Sequence, residues 1–198
     1  MLRLSSTVAA PTRARHTPPP PPILPGRDAK PDRRAALERL APVLLAILVA
    51  ALWVAVRPHT VDMAAHTFRA KLFGEEGFTI WNGQWYGGHH TPAYSVLFPP
   101  LAWLIGPWLA GALSAVASAA LFEPLARARW GRRARVGAIW FGVGAGSLLF
   151  TGRLPFALGV AFGLAVLLAH QRGRRSIAVL AAVGTGLASP VAALFLTL

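Results

Sequence analysis

The chain has 198 residues, of which 55% are hydrophobic and only 14% are charged, and its mean hydropathy is +0.50. This composition excludes an ordinary soluble domain. The 20 basic and 7 acidic residues give a formal net charge of +13, which by itself would favour a nucleic-acid partner. Because the basic residues fall in short clusters between apolar runs, they indicate membrane topology instead, and no nucleic-acid partner is predicted. The absence of cysteine excludes a disulfide framework and a thiolate metal site.

Residues 1–35 are rich in proline and arginine and include an unbroken run of prolines at 18–22. The segment lacks the apolar stretch of a cleavable signal peptide, and it has too few apolar residues to build a core. It is therefore predicted to be a disordered cytoplasmic tail in which the prolines form an extended polyproline helix. The alternative is that this stretch is a ligand for an SH3-type domain.

Apolar segments that could cross a membrane fill most of the remaining chain, since a bilayer core of about 30 Å needs around 20 helical residues. We predict an all-α, polytopic bundle over residues 36–198, with an outer loop at about 58–95. The second segment exceeds one crossing and has prolines near its start, so its first part is expected to form a separate surface helix. Because the last segment ends without a polar tail, the chain is expected to be the N-terminal part of a longer protein. The five segments lie at 41–56, 93–126, 136–150, 156–170 and 177–198.

Basic clusters set the expected orientation of the bundle. They precede the first segment, follow the second and follow the fourth, so all of them share one side if every segment crosses. The positive-inside rule makes that side cytoplasmic and places the N-terminus there, in a multi-pass protein of the plasma membrane. The outer loop and the turn around Arg153 then face outward. The clusters are Arg27, Lys30, Arg33, Arg34 and Arg39; Arg127, Arg129, Arg132, Arg133 and Arg135; and Arg172, Arg174 and Arg175.

The start of the outer loop predicts an amphipathic helix. Asp62, His66 and Arg69 recur at helical spacing and therefore share one face. Thr60 is the expected helix cap, which would put Asp62 in the first turn, where a carboxylate interacts well with the helix dipole. The opposite face is apolar and consists of Val61, Ala65, Phe68 and Leu72.

This polar face carries the candidate chemistry. Asp62 can act as a general base for an acceptor hydroxyl, or it can hold a divalent cation; no other cofactor is assigned. His66 can orient that carboxylate or share its proton, so both are predicted as catalytic. Arg69 and Arg153 suit a phosphate group. The alternative is that Asp62 only caps its helix and pairs with His66 or Arg69.

The rest of the loop is aromatic and stiff, in the sequence "WNGQWYGGHHTPAYSVLFPP" at 81–100. Trp and Tyr suit the membrane interface, and their ring faces also stack on the apolar faces of sugars. Adjacent histidines cannot both reach one metal without a special turn, so no metal centre is predicted at His89 and His90. The candidate substrate contacts in this stretch are Trp81, Trp85, Tyr86 and His89.

These features together resemble a known family. An Asp after the first span, a His four residues on, and then "FRAKLFGEEGF", "WNGQWYGG" and a tyrosine followed by "FPPLAWLIG" resemble the first outer loop of C-type membrane glycosyltransferases. The likeness is greatest to bacterial 6-pyruvoyl-tetrahydropterin synthase-related integral membrane proteins, and it covers 61 to about 107. It implies transfer of a sugar from a polyprenyl-phosphate donor on the outer face of the membrane, with the catalytic carboxylate at Asp62. The chain departs from the family in having a lone Asp where an acidic pair is usual.

The function predicted from the sequence is therefore an integral-membrane glycosyltransferase, or its N-terminal part. Its expected partners are a polyprenyl-phosphate-linked sugar and membrane lipid. Two alternatives stay open. A multi-pass transporter would normally place charged or polar groups within its spans, whereas here the polar residues concentrate in the outer loop. A non-catalytic membrane scaffold is the other alternative.

Overall fold

Runs of Leu, Ala and Val favour helices, and a helix satisfies its own backbone hydrogen bonds where no water is present. The computed structural model describes residues 33–84, 88 and 91–198, which are mostly helical. Residues 1–32, and with them most of the predicted tail, lie outside the described residues, and the first helix begins at Arg33. The elements are α1 (Arg33–Val56), α2 (Met63–Glu76), β1 (Trp81–Asn82), β2 (Thr91–Pro92), α3 (Phe98–Ile105), α4 (Pro107–Trp130), a 3-10 turn (Gly131–Arg133), α5 (Ala134–Gly144), α6 (Gly146–Phe150), α7 (Leu154–Gln171), α8 (Arg175–Ala188) and α9 (Pro190–Leu196).

Helical segments that are long and apolar enough to cross a membrane confirm the all-α, membrane class. They are Ala36–Val56, Pro107–Phe150 and Leu154–Gln171, with 21, 44 and 18 residues. Their outward faces are also apolar. On α1, for example, Leu44, Leu48 and Leu52 are each more than half exposed. A continuous apolar exterior of this kind suits contact with lipid.

The ends of four helices meet at one end of the bundle. Gly111, near the start of α4, lies so close to three side chains that an added Cβ would meet all of them within 3.4 Å. Those side chains are Trp53 near the end of α1, Leu149 in α6 and Leu154 at the start of α7. Because residues 57–106 connect α1 with α4, they join the bundle here, and we call this the loop end.

The second and third basic clusters lie at the opposite end, which we call the arginine end. Glu38, near the start of α1, accepts hydrogen bonds of 3.3 Å from Arg132, in the turn after α4, and lies 3.5 Å from Arg135. The 18 residues of α7 span about 27 Å from the loop end, which carries Arg172 and its neighbours to the far end as well. The structure thus confirms that the later two clusters and the start of α1 share one end, away from the loop.

Two of the predicted apolar segments, the second and the fifth, are each divided into two helices. The second segment divides at Gly106 (φ 85°) into α3 and α4, which confirms the expected separate short helix. The fifth was expected to be continuous, but it breaks between α8 and α9. Ser189 there is extended (φ −159°, ψ 113°) because Pro190 follows it, and a residue before proline avoids the helical conformation. The Ser189 side chain then caps α9 by accepting a bond from the Ala192 amide.

A short antiparallel hairpin follows α2. Trp81 pairs with Pro92 and Asn82 with Thr91. The two strand residues alternate in exposure, so Trp81 is 62% exposed while Asn82 is only 7% exposed. The sequence did not predict these strands. The strand pairing thus turns the Asn82 side chain inward and the Trp81 side chain outward.

Close helix contact depends on a glycine in α5. A Cβ added to Gly142 would collide with the carbonyl oxygen of Pro42, a backbone atom of α1 that cannot rotate away. We expect Gly142→Ala to destabilise the bundle by about 1–3 kcal/mol. Gly137→Ala in the same helix, where the Cβ meets nothing within 4 Å, should be neutral or slightly stabilising. Unfolding by titration with a denaturing detergent measures both, and equal responses would contradict the close packing of α1 and α5.

Candidate functional site

The start of α2 differs from the sequence-based expectation. The helix begins at Met63, and Asp62 rather than Thr60 is the N-cap residue. The Asp62 side chain makes no capping hydrogen bond, so it does not act as the side-chain cap that the alternative required. Val61, expected on the apolar face, precedes the helix and is 97% exposed, while Leu72 is buried as expected. The carboxylate of Asp62 is therefore free of a capping role.

A long-range hydrogen bond holds α2 against the turn between α6 and α7. His66 donates from Nε2 to the carbonyl oxygen of Gly152 over 2.7 Å, and the two residues are 86 positions apart. Gly152 has φ 76°, a left-handed conformation that glycine adopts without strain. A Cβ at this position would also lie 2.7 Å from Thr60 Oγ1. Glycine is thus required at 152 both by the backbone conformation and by the close approach of the loop.

The burial of His66 determines its protonation. Loss of solvent lowers its pKa, and this outweighs the opposite effects of the Gly152 hydrogen bond and of the Asp62 carboxylate. The nearby Arg69 guanidinium lowers the pKa slightly further. The imidazole is consequently neutral at pH 7. Because its Nε2 hydrogen is donated to Gly152, the ring lone pair is at Nδ1, which can accept a proton or a hydrogen bond.

The residues around this contact enclose a cavity of about 440 Å³, which we call the loop-end cavity. Its polar groups come from three parts of the chain: α2, the segment before α3 and the turn before α7. Its remaining wall is apolar and is formed by α3, α7 and α9. The lining residues are Asp62, Ala65, His66, Arg69, Tyr94, Ser95, Phe98, Pro99, Arg153, Pro155, Phe156, Val191 and Phe195.

Hydrogen bonds to the end of α8 fix the far wall of the cavity. The Tyr94 hydroxyl lies 2.7 Å from the Ser189 hydroxyl, and the Val96 amide donates to the Leu187 carbonyl over 2.8 Å. The second bond satisfies a carbonyl that the last turn of a helix leaves without an intrahelical partner. These contacts hold the segment before α3 against the end of α8 and the start of α9.

The structure brings four of the predicted site residues together. His66 and Arg69 line the loop-end cavity from α2, Asp62 lines it from the N-cap position just before that helix, and Arg153 lines it from the turn before α7. Trp81 does not line this cavity and is mostly exposed. The other three predicted contacts, Trp85, Tyr86 and His89, lie outside the described residues. Within the described part of the chain, no three acidic or histidine side chains converge to hold a metal ion.

Several lining residues were not predicted from the sequence. Tyr94 was not among the predicted substrate contacts, yet its hydroxyl reaches a serine 95 positions away. Phe195 lines the cavity because the break at Ser189 turns α9 back beside α7. The one local signal for this was the pair Ser189–Pro190, which is a typical helix start.

Comparisons with protein-family models, with curated proteins and with solved structures find no match for this chain. The arrangement of the site is therefore the basis for assigning a function.

Protonation of His66 should couple folding to pH. Its pKa is lowered in the folded chain, so the unfolded chain binds more protons at mildly acidic pH. Stability is then complete above about pH 6.5, the ordinary pKa of histidine, and falls as the pH drops below it. We expect His66→Gln, whose amide can still donate to Gly152, to lose this component of the pH dependence in thermal unfolding. His59→Gln, at an exposed position, is the control and should retain it; a pH profile unchanged in His66→Gln would contradict the role assigned to burial.

Proposed function

We propose that the chain is all or part of a membrane-bound glycosyltransferase that takes its sugar from a polyprenyl-phosphate donor. The observation that supports this most strongly is the composition of the loop-end cavity. One carboxylate, one neutral imidazole and two guanidinium groups line a single space of about 440 Å³. Asp62, His66, Arg69 and Arg153 are the residues that such a reaction would use.

The cationic groups suit a phosphate. Arg69 and Arg153 face the same cavity from different elements, and guanidinium groups bind phosphate through paired, charge-assisted hydrogen bonds. Arg153 is also the residue at the N-cap of α7. The positive end of a helix dipole repels a cation and attracts an anion, so a guanidinium placed there favours a site that is occupied by an anion. A phosphate leaving group would pair with the two guanidinium groups and would also interact favourably with the positive end of the α7 dipole.

The acid–base groups suit activation of a hydroxyl. In the proposed step, the Asp62 carboxylate takes the proton from an acceptor hydroxyl while the hydroxyl oxygen bonds to the anomeric carbon of the donor sugar. The bond between that carbon and the phosphate oxygen breaks, and the polyprenyl phosphate leaves with both electrons of that bond. Arg69 and Arg153 would stabilise the negative charge that develops on it. His66, whose Nδ1 lone pair is free, would then accept the proton from Asp62.

The apolar wall suits the lipid part of the donor. Phe156, Val191 and Phe195 belong to helices that continue into the apolar bundle. An isoprenoid chain could therefore lie along α7 and α9 while its phosphate stays at the loop end.

The proposal includes a topology with the N-terminus in the cytoplasm and the loop end outside the plasma membrane. The 44-residue segment Pro107–Phe150 would cross twice, since its chain turns at Gly131 (φ 57°) and α4 packs against α5. Helix α8, with 14 residues, would make the last of five crossings. The basic residues at the arginine end support this orientation through the positive-inside rule.

Replacing the proposed base tests the activity. Asp62→Asn keeps the size of the side chain but removes its ability to take a proton, so we expect transfer to fall by at least about a hundredfold. The measurement is release of labelled sugar from a lipid-linked donor by membranes that contain the protein. Glu75→Gln, at an exposed position later in α2, is the matched control and should keep full activity. Undiminished transfer in Asp62→Asn would remove this carboxylate from the mechanism.

Replacing the Arg153 guanidinium tests whether the site binds the phosphate of the lipid donor. Native mass spectrometry of the protein with decaprenyl phosphate and with decaprenol compares two lipids that differ only in the phosphate. We expect the phosphate to bind more tightly, and Arg153→Ala to lose about tenfold or more of that preference, because a hydrogen bond to a charged group contributes about 1.5–3 kcal/mol. Lys71→Ala removes an exposed cation from α2 and should leave the preference unchanged. Equal binding of the two lipids by the unaltered protein would contradict a phosphate site.

A further inference from the structure

A second cavity, which we call the apolar cavity, lies on the other side of Arg69 from the catalytic candidates. Its volume is about 280 Å³, and its walls come from the end of α2, the residues that follow it and the segment before α3. Most of the wall is hydrocarbon from Leu72, Phe73, Phe78 and Val96. The cavity adjoins the loop-end cavity, with which it shares Arg69, Ser95 and Pro99, but Asp62, His66 and Arg153 do not line it.

One side chain in the wall has unmet hydrogen-bonding capacity. Asn82 is 93% buried, since only 7% of it is exposed, and it points inward from β1 while Trp81 points out. Neither its amide oxygen nor its amide nitrogen has a hydrogen-bond partner in the part of the chain that the structure describes. Buried polar atoms are almost always paired, because an unpaired amide loses its hydration without compensation. Such a residue in a cavity wall indicates that a ligand supplies the partner.

We infer that the apolar cavity binds an uncharged, mainly apolar molecule that carries one hydroxyl or carboxamide group. The amide of Asn82 presents both an acceptor and donors, and a hydroxyl or a carboxamide complements both at once. A carboxylate can only accept and an ammonium group can only donate, so each would leave part of the Asn82 amide unpaired. An ammonium group would also be repelled by Arg69, which lines the same cavity. The inference concerns a different cavity from the proposed active site and does not depend on the transferase activity.

The volume of the apolar cavity limits the size of its ligand, and the residues at its rim indicate how the ligand enters. Its volume corresponds to roughly nine non-hydrogen atoms when each takes the space of a liquid water molecule. The rim is formed by exposed apolar residues, among them Phe78 and Ile80, at 69% and 58% exposure. An apolar rim at the loop end favours a molecule that arrives from the membrane interface rather than from water. An alcohol with a chain of about eight carbons matches these requirements.

Photolabelling of the purified full chain in lipid nanodiscs tests the inference. The probe is 1-octanol bearing a diazirine, and the matched probe is the same octane derivative without the hydroxyl. We expect the alcohol to label Phe73, Phe78 or Val96, to be displaced by unlabelled 1-octanol, and to exceed the alkane about tenfold. Asn82→Leu should reduce labelling by the alcohol to the level of the alkane. It should also fold, because it replaces an unpaired amide with an apolar group of similar size.

Two further variants separate ligand binding from general effects. Gln84→Leu removes an exposed amide that donates to Glu76, and it should leave labelling by the alcohol unchanged. Ala93→Phe fills the cavity while leaving Asn82 in place, and it should abolish labelling by both probes. Equal labelling of the unaltered protein by the alcohol and the alkane would mean that Asn82 does not bind the hydroxyl group. A preference for the alcohol that is undiminished in Asn82→Leu would mean the same. Labelling that persists in Ala93→Phe would place the probe elsewhere. Each of these three results would overturn the inference.

Discussion

The hydrogen bond from His66 to the carbonyl of Gly152 is the contact on which the candidate site depends. It joins α2 to the turn between α6 and α7 over 2.7 Å. Because Asp62 and Arg69 lie one turn before and after His66 on the same face, this bond also brings them to the cavity that Arg153 lines. Burial keeps the imidazole neutral, so the bond uses one defined nitrogen and leaves the other available. Without it, α2 would lose this polar connection to the turn that carries Arg153.

Local patterns predicted a large part of this arrangement. Hydropathy located the apolar helices, and prolines near the start of the second segment indicated the separate helix α3. Helical spacing alone placed Asp62, His66 and Arg69 on one face, as the structure has them. These predictions succeeded because each depends on residues within a few turns of one another, where periodicity and backbone chemistry determine the outcome. The predicted N-cap of α2, Thr60, lies two residues before the observed N-cap, Asp62. Errors of this size are common at the ends of helices.

Contacts between distant residues could not be read from the sequence. Nothing in the spacing of Tyr94 and Ser189 shows that their hydroxyls meet, and nothing in "WNGQW" shows that Asn82 is buried without a partner. Both follow from how the loop folds back onto α8 and α9. The division of polar and apolar space on the two sides of Arg69 is also a tertiary result. Arg69 lines both cavities, but Asp62, His66 and Arg153 line only the first and the buried amide of Asn82 lines only the second, which suits two ligands of different chemistry.

The central claim of the proposed topology is that the loop-end cavity and the arginine end lie on opposite sides of a membrane, and cysteine labelling tests it most directly. The chain contains no cysteine, so single cysteines can be introduced without other changes. Thr67→Cys reports on the exposed face of α2, and Arg133→Cys reports on the arginine end. We expect a membrane-impermeant maleimide to label Thr67→Cys in intact cells and Arg133→Cys only after permeabilisation. Labelling of both positions from the same side, or the reverse pattern, would contradict the account.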